Sequence, residues 1–395
     1  MNLSALRFPQ FRRYMIASVF ALQGLWVQRI TTSWIAWEQT GSASFVGFIA
    51  FLTYMPTMIT GPFFGVLVDR LNIRKAAMSA QASIFAVAIL TYGLQVSGML
   101  NAVILALIAV MVGIVTSAQH PIRMSFTPRL VPKGQVGSVI TLIALNFNLA
   151  RVLGPAIGGF LIARYGVETA LLVTALAYLP AVVTIATLTP REIEKRGQSS
   201  SFLSDFAEGV RFILSTPLII RAILISGLFS LSVRGTLEIL PTIADGVFSR
   251  GAEGLGALTA GAGVGALAAA LIQSLAKERQ PGKLPLAALV AGLTGPLVIT
   301  LLGTTDAWTV AIITVTAMGF LSTTVGVNLQ TSIQLLLDDH MRGRVMSLWV
   351  MVSLGATALG ALGIGALIDW FGLGLTLQCV GGACAVLILG LIRRR

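Results

Sequence analysis

Apolar residues run through this chain in stretches of about 20, broken by short clusters of Gly, Pro, Ser and charge. A helix of that length crosses the roughly 30 Å hydrocarbon core of a bilayer. Twelve such stretches stand at 14–37, 45–68, 76–97, 101–119, 136–163, 167–189, 217–241, 255–276, 284–303, 307–336, 345–368 and 373–392. They stay apolar instead of alternating with polar positions, which argues against the strands of a membrane barrel. Twelve spans take about 240 residues, so the loops are too short for a separate soluble enzymatic domain. The pattern predicts an all-α integral membrane protein with twelve transmembrane helices. The first stretch runs on past Trp34 with no small-residue cleavage pattern, so it is expected to be a span and not a leader.

One sizeable polar stretch interrupts the pattern, from Pro190 to Asp205. It predicts a six-helix half over 1–189, a cytoplasmic linker over 190–216 and a second six-helix half over 217–395. Within the linker, Phe202, Phe206, Val210, Ile213 and Leu214 recur at helical spacing among Asp205, Glu208 and Arg211. That is an amphipathic helix suited to a membrane surface. The halves also repeat. At a shift of 205–209 residues Gly47 falls on Gly256, Asp69-Arg70 on Glu278-Arg279, Gly134 and Ser138 on Gly343 and Ser347, and Arg29 on Arg234. Two pseudo-symmetric halves with a path between them favour alternating access over a fixed pore.

Composition agrees with this picture: 56% of residues are apolar, 11% are charged, and mean hydropathy is +0.88. The net charge of +12 changes meaning once its placement is read. With the N-terminus inside, 22 of the 27 Lys and Arg lie at inner ends and loops, while Arg164 and Arg250 alone lie outside. The basicity therefore sets topology, with both termini cytoplasmic, and is no nucleic-acid footprint. Cys379 and Cys384 share the last span without metal-site spacing and are expected to pack in the core. His120 and His340 are too few for a metal site. No Walker A pattern and no hydrolase-type nucleophile constellation occurs, so the expectation is no enzyme, no cofactor and no direct use of ATP.

After the second span stands Gly65-Val66-Leu67-Val68-Asp69-Arg70-Leu71-Asn72-Ile73-Arg74-Lys75. Gly65 allows close helix approach, and Asp69 sits as an anion among Arg70, Arg74 and Lys75, a cluster able to clamp helix ends across the inner face. Arg74 and Lys75 also fit plain topology charges. In the fifth span, Gly154-Pro155-Ala156-Ile157-Gly158-Gly159 joins a bend to a small-residue face. It fits either an ordinary packing face or a mechanistic kink. These motifs, with twelve spans, a central linker and a duplicated half, resemble the major facilitator superfamily across the whole chain. The resemblance implies an inner-gate latch of Gly65, Asp69, Arg70 and Arg74. In the second half Lys277-Glu278-Arg279 with Lys283 keeps the charge and loses the glycine. Gly154, Pro155, Gly158 and Gly159 look like the superfamily's antiporter motif, although its upstream small residues are missing. Trp26-Val27-Gln28-Arg29 with Trp34, Trp37 and Glu38, and Asn148 through Pro155, are similar to the enterobactin-exporter-like branch, which also contains multidrug efflux proteins. The fourth span lacks the arginine that many drug antiporters carry there.

Ionisable side chains inside spans cost roughly 2.5–3.5 kcal/mol each and need a reason. Arg29 and Arg234 lie about 22–26 Å along the first and seventh spans, toward the outer side. Either they make an electropositive path for an anionic or catecholate-like substrate, or they tie helices together through carbonyls. Glu238 follows Arg234 by four residues on the same helix face, and is the one carboxylate deep in a span. It is read as a proton carrier or as half of a structural ion pair. Arg151, Asn146 and Asn148 are polar positions of the fifth span, and the two asparagines cannot share a face. Asn328, Gln330 and Gln334 suit a polyatomic solute or an interhelical bond. Trp26 and Trp34 offer stacking surface or plain packing.

These residues predict a monomeric proton antiporter of the cell inner membrane. It would export a small drug- or siderophore-like molecule, with substrate, protons and the lipid bilayer as its partners. A lipid or lysolipid flippase, and a non-transporting membrane scaffold or sensor, are the alternatives.

Overall fold

A computed structural model describes residues 4–191, 202–275 and 282–393, and among them the chain is helical with no strand. The elements are α1 (Pro9–Thr40), α2 (Ala43–Arg70), α3 (Ile73–Val96), α4 (Ala102–Phe126), α5 (Val136–Thr187), α6 (Phe202–Ser215) and α7 (Pro217–Phe229). They continue with α8 (Gly235–Glu238), α9 (Gly251–Ser274), α10 (Leu286–Leu302), α11 (Trp308–Gln334), α12 (Asp339–Phe371) and α13 (Leu373–Arg393). The 52-residue α5 is two spans joined at Gly166, where φ is +85° and an L side chain would be strained. With α7 and α8 counted as one interrupted span, the described residues make twelve crossings, six before α6 in the chain and six after it.

Local chemistry explains where the helices begin. The Asn72 and Asn101 side chains accept from the backbone N–H of Lys75 (3.1 Å) and Ile104 (3.0 Å), satisfying donors that the first turn leaves open. α4 runs through Pro121 to Phe126, seven residues past the Gln119 end expected from the sequence. One lost N–H does not end a helix whose remaining ladder is intact. Large apolar side chains point outward along the spans: Leu107 is 60% exposed, Ile313 62% and Leu387 55%. In a water-soluble protein such a surface would aggregate; facing lipid tails it is the expected one.

The chain forms two compact units. Unit 1 comprises residues Met1–Gln39, Met55–Gly197 and Gly251–Ala260; unit 2 comprises Thr40–Tyr54, Gln198–Arg250 and Gly261–Arg395. Each unit thus contains a short piece from the other half of the sequence, the start of α9 in one and the start of α2 in the other. Gly47 and Gly256, paired by the repeat, lie in these two pieces.

Unit 1 has its core at the end where α1 begins, with Phe11, Tyr14, Ile122, Phe126, Leu142 and Ile185 buried together. There the Gln10 amide donates to the Thr189 hydroxyl (3.0 Å) and accepts from the Thr189 N–H (2.9 Å). Unit 2 has a counterpart in Arg221, which donates to the Leu391 and Ile392 carbonyls and so occupies acceptors left open by the last turn of α13. The predicted amphipathic helix is α6. Its Ile213 is buried while Phe206 and Leu214 stay exposed, and Glu208 meets Arg344 of α12 at 2.8 Å.

Candidate functional site

In unit 1 the glycines of α5 determine how α1 is held. A Cβ on Gly154 would collide with Trp26 and crowd Gln23, and one on Gly158 would collide with Ile30. Gly159 faces a different neighbour, its Cβ position falling onto the backbone of Gly256 and Ala252. The Gly-Pro-x-x-Gly-Gly run therefore divides its glycines between α1 and α9, and Pro155 sits between the two contacts without ending the helix.

This close approach assembles an aromatic and cationic cluster. The Arg29 guanidinium lies 5.3 Å from the Trp26 ring centroid, within cation–π range. Trp26 and Phe147 of α5 form an edge-to-face pair, with centroids 5.9 Å apart and planes at 65°. Half-buried Arg151 follows Phe147 by four residues on the same helix face. The Trp26 Nε1 donor and the Gln23 Oε1 acceptor are buried, and neither has a hydrogen-bond partner among the described residues. Such atoms carry a desolvation cost of about 1–3 kcal/mol that a bound polar group or water can remove. The cluster offers a π-face, a cation, one donor and one acceptor.

Other path candidates of unit 1 are engaged within it. Trp34 is 8% exposed and belongs to the packing. Asn146 donates to the Ser18 hydroxyl (2.8 Å), and Asn148 donates back to the Ala144 carbonyl of its own helix (2.8 Å). Gln28 accepts from the Tyr178 hydroxyl at 2.7 Å.

In unit 2 the seventh span departs from α-helical geometry twice. A π-helical turn covers Ser230–Arg234, α8 follows over Gly235–Glu238, and a second π-helical turn covers Thr242–Val247. Pro241 has no N–H for the Leu237 carbonyl, and the flanking Ile239 and Thr242 bond three residues back instead of four. Irregular turns of this kind recur at functional sites because they redirect side chains from an otherwise continuous helix.

Arg234 emerges at the end of the first π-turn. It donates from Nε to Ser322 Oγ (3.0 Å), from Nη1 to Ser353 Oγ (2.8 Å) and from Nη2 to the Ser322 carbonyl (3.4 Å). Gly326 leaves room for the guanidinium, since a Cβ there would stand 2.8 Å from Nη2. Glu238 accepts from the Tyr54 hydroxyl of α2 at 2.8 Å. Asn328 donates to Gln273 Oε1 (2.8 Å) and to the Thr324 carbonyl (2.7 Å), tying α11 to α9 with both amide hydrogens. Tyr54, Ser322, Ser353, Gln23 and Phe147 were not marked by sequence reasoning. A lone Tyr, Ser or Phe inside a span carries no signal until its neighbour is known.

At the predicted inner-gate motif, Gly65 belongs to α2, while the side chains of Asp69 and Arg70 lie outside the described residues, as do Lys277, Glu278 and Arg279. Arg74 donates to the Ala186 carbonyl in the last turn of α5, and Lys75 is exposed. One expectation needs correcting: Cys384 is buried but Cys379 is exposed, because the two side chains leave α13 on different faces.

An all-α chain with twelve crossings among its described residues, apolar outside and carrying half-buried arginines and a half-buried carboxylate within its spans, is a membrane transporter of the major facilitator fold. The chain belongs to the transmembrane secretion effector family, whose profile it matches over residues 1–395. It is 27% identical to the enterobactin exporter EntS of Shigella boydii serotype 4, over 99% of this chain and 93% of that protein. Its fold is similar to a bacterial homologue of the human lysosomal transporter Spinster in an inward-facing, unoccupied conformation. That match has a TM-score of 0.75 at 14% identity, over 97% of this chain and 95% of the other. It is also similar to the nucleoside transporter NupG, with a TM-score of 0.76 at 11% identity, over 98% and 100% of the two chains.

Proposed function

We propose that this protein is a proton-coupled exporter of a small aromatic, anionic or amphipathic molecule, siderophore-like or drug-like, working by alternating access in the cell inner membrane with both termini in the cytoplasm. The observation that carries the substrate class is the Trp26–Arg29–Phe147 cluster, with its unspent indole N–H. An aromatic ring bearing ionised oxygens would stack on Phe147 or Trp26, meet the Arg29 charge and accept from Trp26 Nε1. Arg151 adds positive charge on the same helix, and Arg234 supplies it in unit 2. Kinship with enterobactin exporters supports this class and the outward direction. In this reading Gly65, Asp69, Arg70, Arg74 and Lys75 work the inner gate, and the glycines of α5 let α1 and α9 shift without side-chain clash.

Glu238 is assigned the proton. It lies between the two π-turns of the irregular seventh span, and a hydroxyl that can leave is a partner suited to a group that must alternate between ionised and neutral forms. The π-turns on either side give that span a place to flex.

The test uses inside-out vesicles with an acidified lumen and a pH-sensitive dye, challenged with catecholate siderophores, lipophilic cations and lysolipids. The expected result is gradient collapse by catecholates in wild type, at least tenfold weaker in Glu238→Gln and in Arg29→Gln. Undiminished proton release in Glu238→Gln would remove that residue from the coupling. A response confined to lysolipids would replace the exporter by a flippase, and movement of no solute at all would favour a scaffold or sensor.

A further inference from the structure

A cavity of about 70 Å³ opens inside unit 1 among α1, α3, α4 and the second span of α5. Its polar lining is Tyr14, Ser18, Gln81, Gln119, Arg123 and Tyr178. Tyr14 follows the start of α1 by five residues and Arg123 precedes the end of α4 by three, so the cavity lies near the end of the unit that carries the basic clusters. Along α1 its lining runs from Tyr14 to Leu25, next to Trp26, but the polar groups it takes from that helix, Tyr14 and Ser18, stand about two to three turns before Trp26.

The lining is rich in donors. Arg123 Nε and Gln81 Nε2 are buried and have no partner among the described residues. The Tyr178 proton is spent on Gln28, but Ser18 is bonded as an acceptor from Asn146, which leaves its own proton free. Among the described residues, neither Asp nor Glu lines the cavity. A guanidinium, two primary amides and two hydroxyls therefore converge, with no carboxylate among the described residues to balance them. A cation withdrawn from water into a membrane-embedded bundle is costly unless an anion accompanies it. The volume holds about two waters, or one tetrahedral oxyanion in their place.

We propose that this cavity is a binding site for a phosphate-class oxyanion, separate from the transported substrate, with Arg123 as its charge partner and Gln81 and Ser18 as neutral donors. The oxyanion comes either from solution or from the headgroup of a lipid in the adjacent leaflet. Its role is to hold α1, α3, α4 and the second span of α5 together at that end of the unit.

The experiment follows thermal unfolding of the full chain, wild type against Arg123→Gln and Gln81→Leu. One arm titrates inorganic phosphate in neutral detergent, with chloride matched for ionic strength. The other compares nanodiscs of phosphatidylcholine with and without phosphatidylglycerol. Wild type is expected to gain about 5 °C at saturation in at least one arm. Arg123→Gln should lose most of that gain while its ligand-free Tm stays at or above wild type, because an uncompensated charge has been removed. Gln81→Leu should weaken the response without abolishing it. Stabilisation by phosphate in detergent assigns a soluble anion, and stabilisation by phosphatidylglycerol alone assigns a lipid headgroup. No gain in either arm, or an equal gain in Arg123→Gln, overturns the proposal and leaves the cavity to water.

Discussion

Polar residues inside apolar spans are the positions that a sequence marks most clearly, and their partners are what it hides. Asn328 donates to Gln273, 55 residues away in the chain, and Arg234 is held by serines 88 and 119 residues away. Asp369 is a further case. Near the end of the eleventh crossing, it accepts from the Ser42 hydroxyl (2.6 Å), the Ala43 N–H (2.9 Å) and the Ser44 N–H (3.0 Å). A carboxylate from α12 therefore caps the first turn of α2, where the peptide dipoles favour negative charge. Asp369→Ala should cost about 1–2 kcal/mol, seen as a lower Tm in detergent, and Asp369→Asn should recover part of it. An unchanged Tm in Asp369→Ala would mean that water replaces the carboxylate at no cost.

Helix packing in a bilayer lacks a hydrophobic drive between helices, so close backbone approach at small residues takes its place. α12 shows the distinction that matters. A Cβ on Gly360 would strike the Leu231 backbone, whereas one on Gly363, three residues on, would meet nothing within 4 Å. Gly360→Ala should therefore destabilise by about 1–3 kcal/mol. Gly363→Ala should be neutral or slightly stabilising, since it removes backbone freedom from the unfolded chain. Melting curves of the two variants side by side decide this, and equal losses would show that α12 shifts to accommodate a methyl group. The same contrast runs through the α5 motif. Its composition was legible, but the division of Gly154 and Gly158 toward α1 from Gly159 toward α9 was not, because the neighbour of a glycine is decided by the packing of the whole unit.

For the molecule as a whole, the segregation of basic residues predicts cytoplasmic termini. A C-terminal fluorescent-protein fusion should fluoresce, and a C-terminal alkaline phosphatase fusion should be inactive in intact cells. The reverse pattern would invert the topology and with it the proposed direction of proton flow. Twelve crossings, the separation of the spans 136–163 and 167–189, and helix α6 could all be read from sequence, because bilayer thickness dictates span length and unpaired backbone groups cannot be left in lipid. Hydropathy is a property of each segment alone, so it survives without knowledge of the neighbours. The tertiary structure alone decided that the starts of α2 and α9 belong to the units formed mainly by the opposite halves. It alone brought Tyr54 to Glu238, set Arg29 over Trp26 beside Phe147, and placed Arg123 in a cavity that no carboxylate among the described residues lines. Those features depend on which faces meet, and residues far apart in the chain come within bonding distance only when side-chain volumes and glycine gaps bring their helices into register.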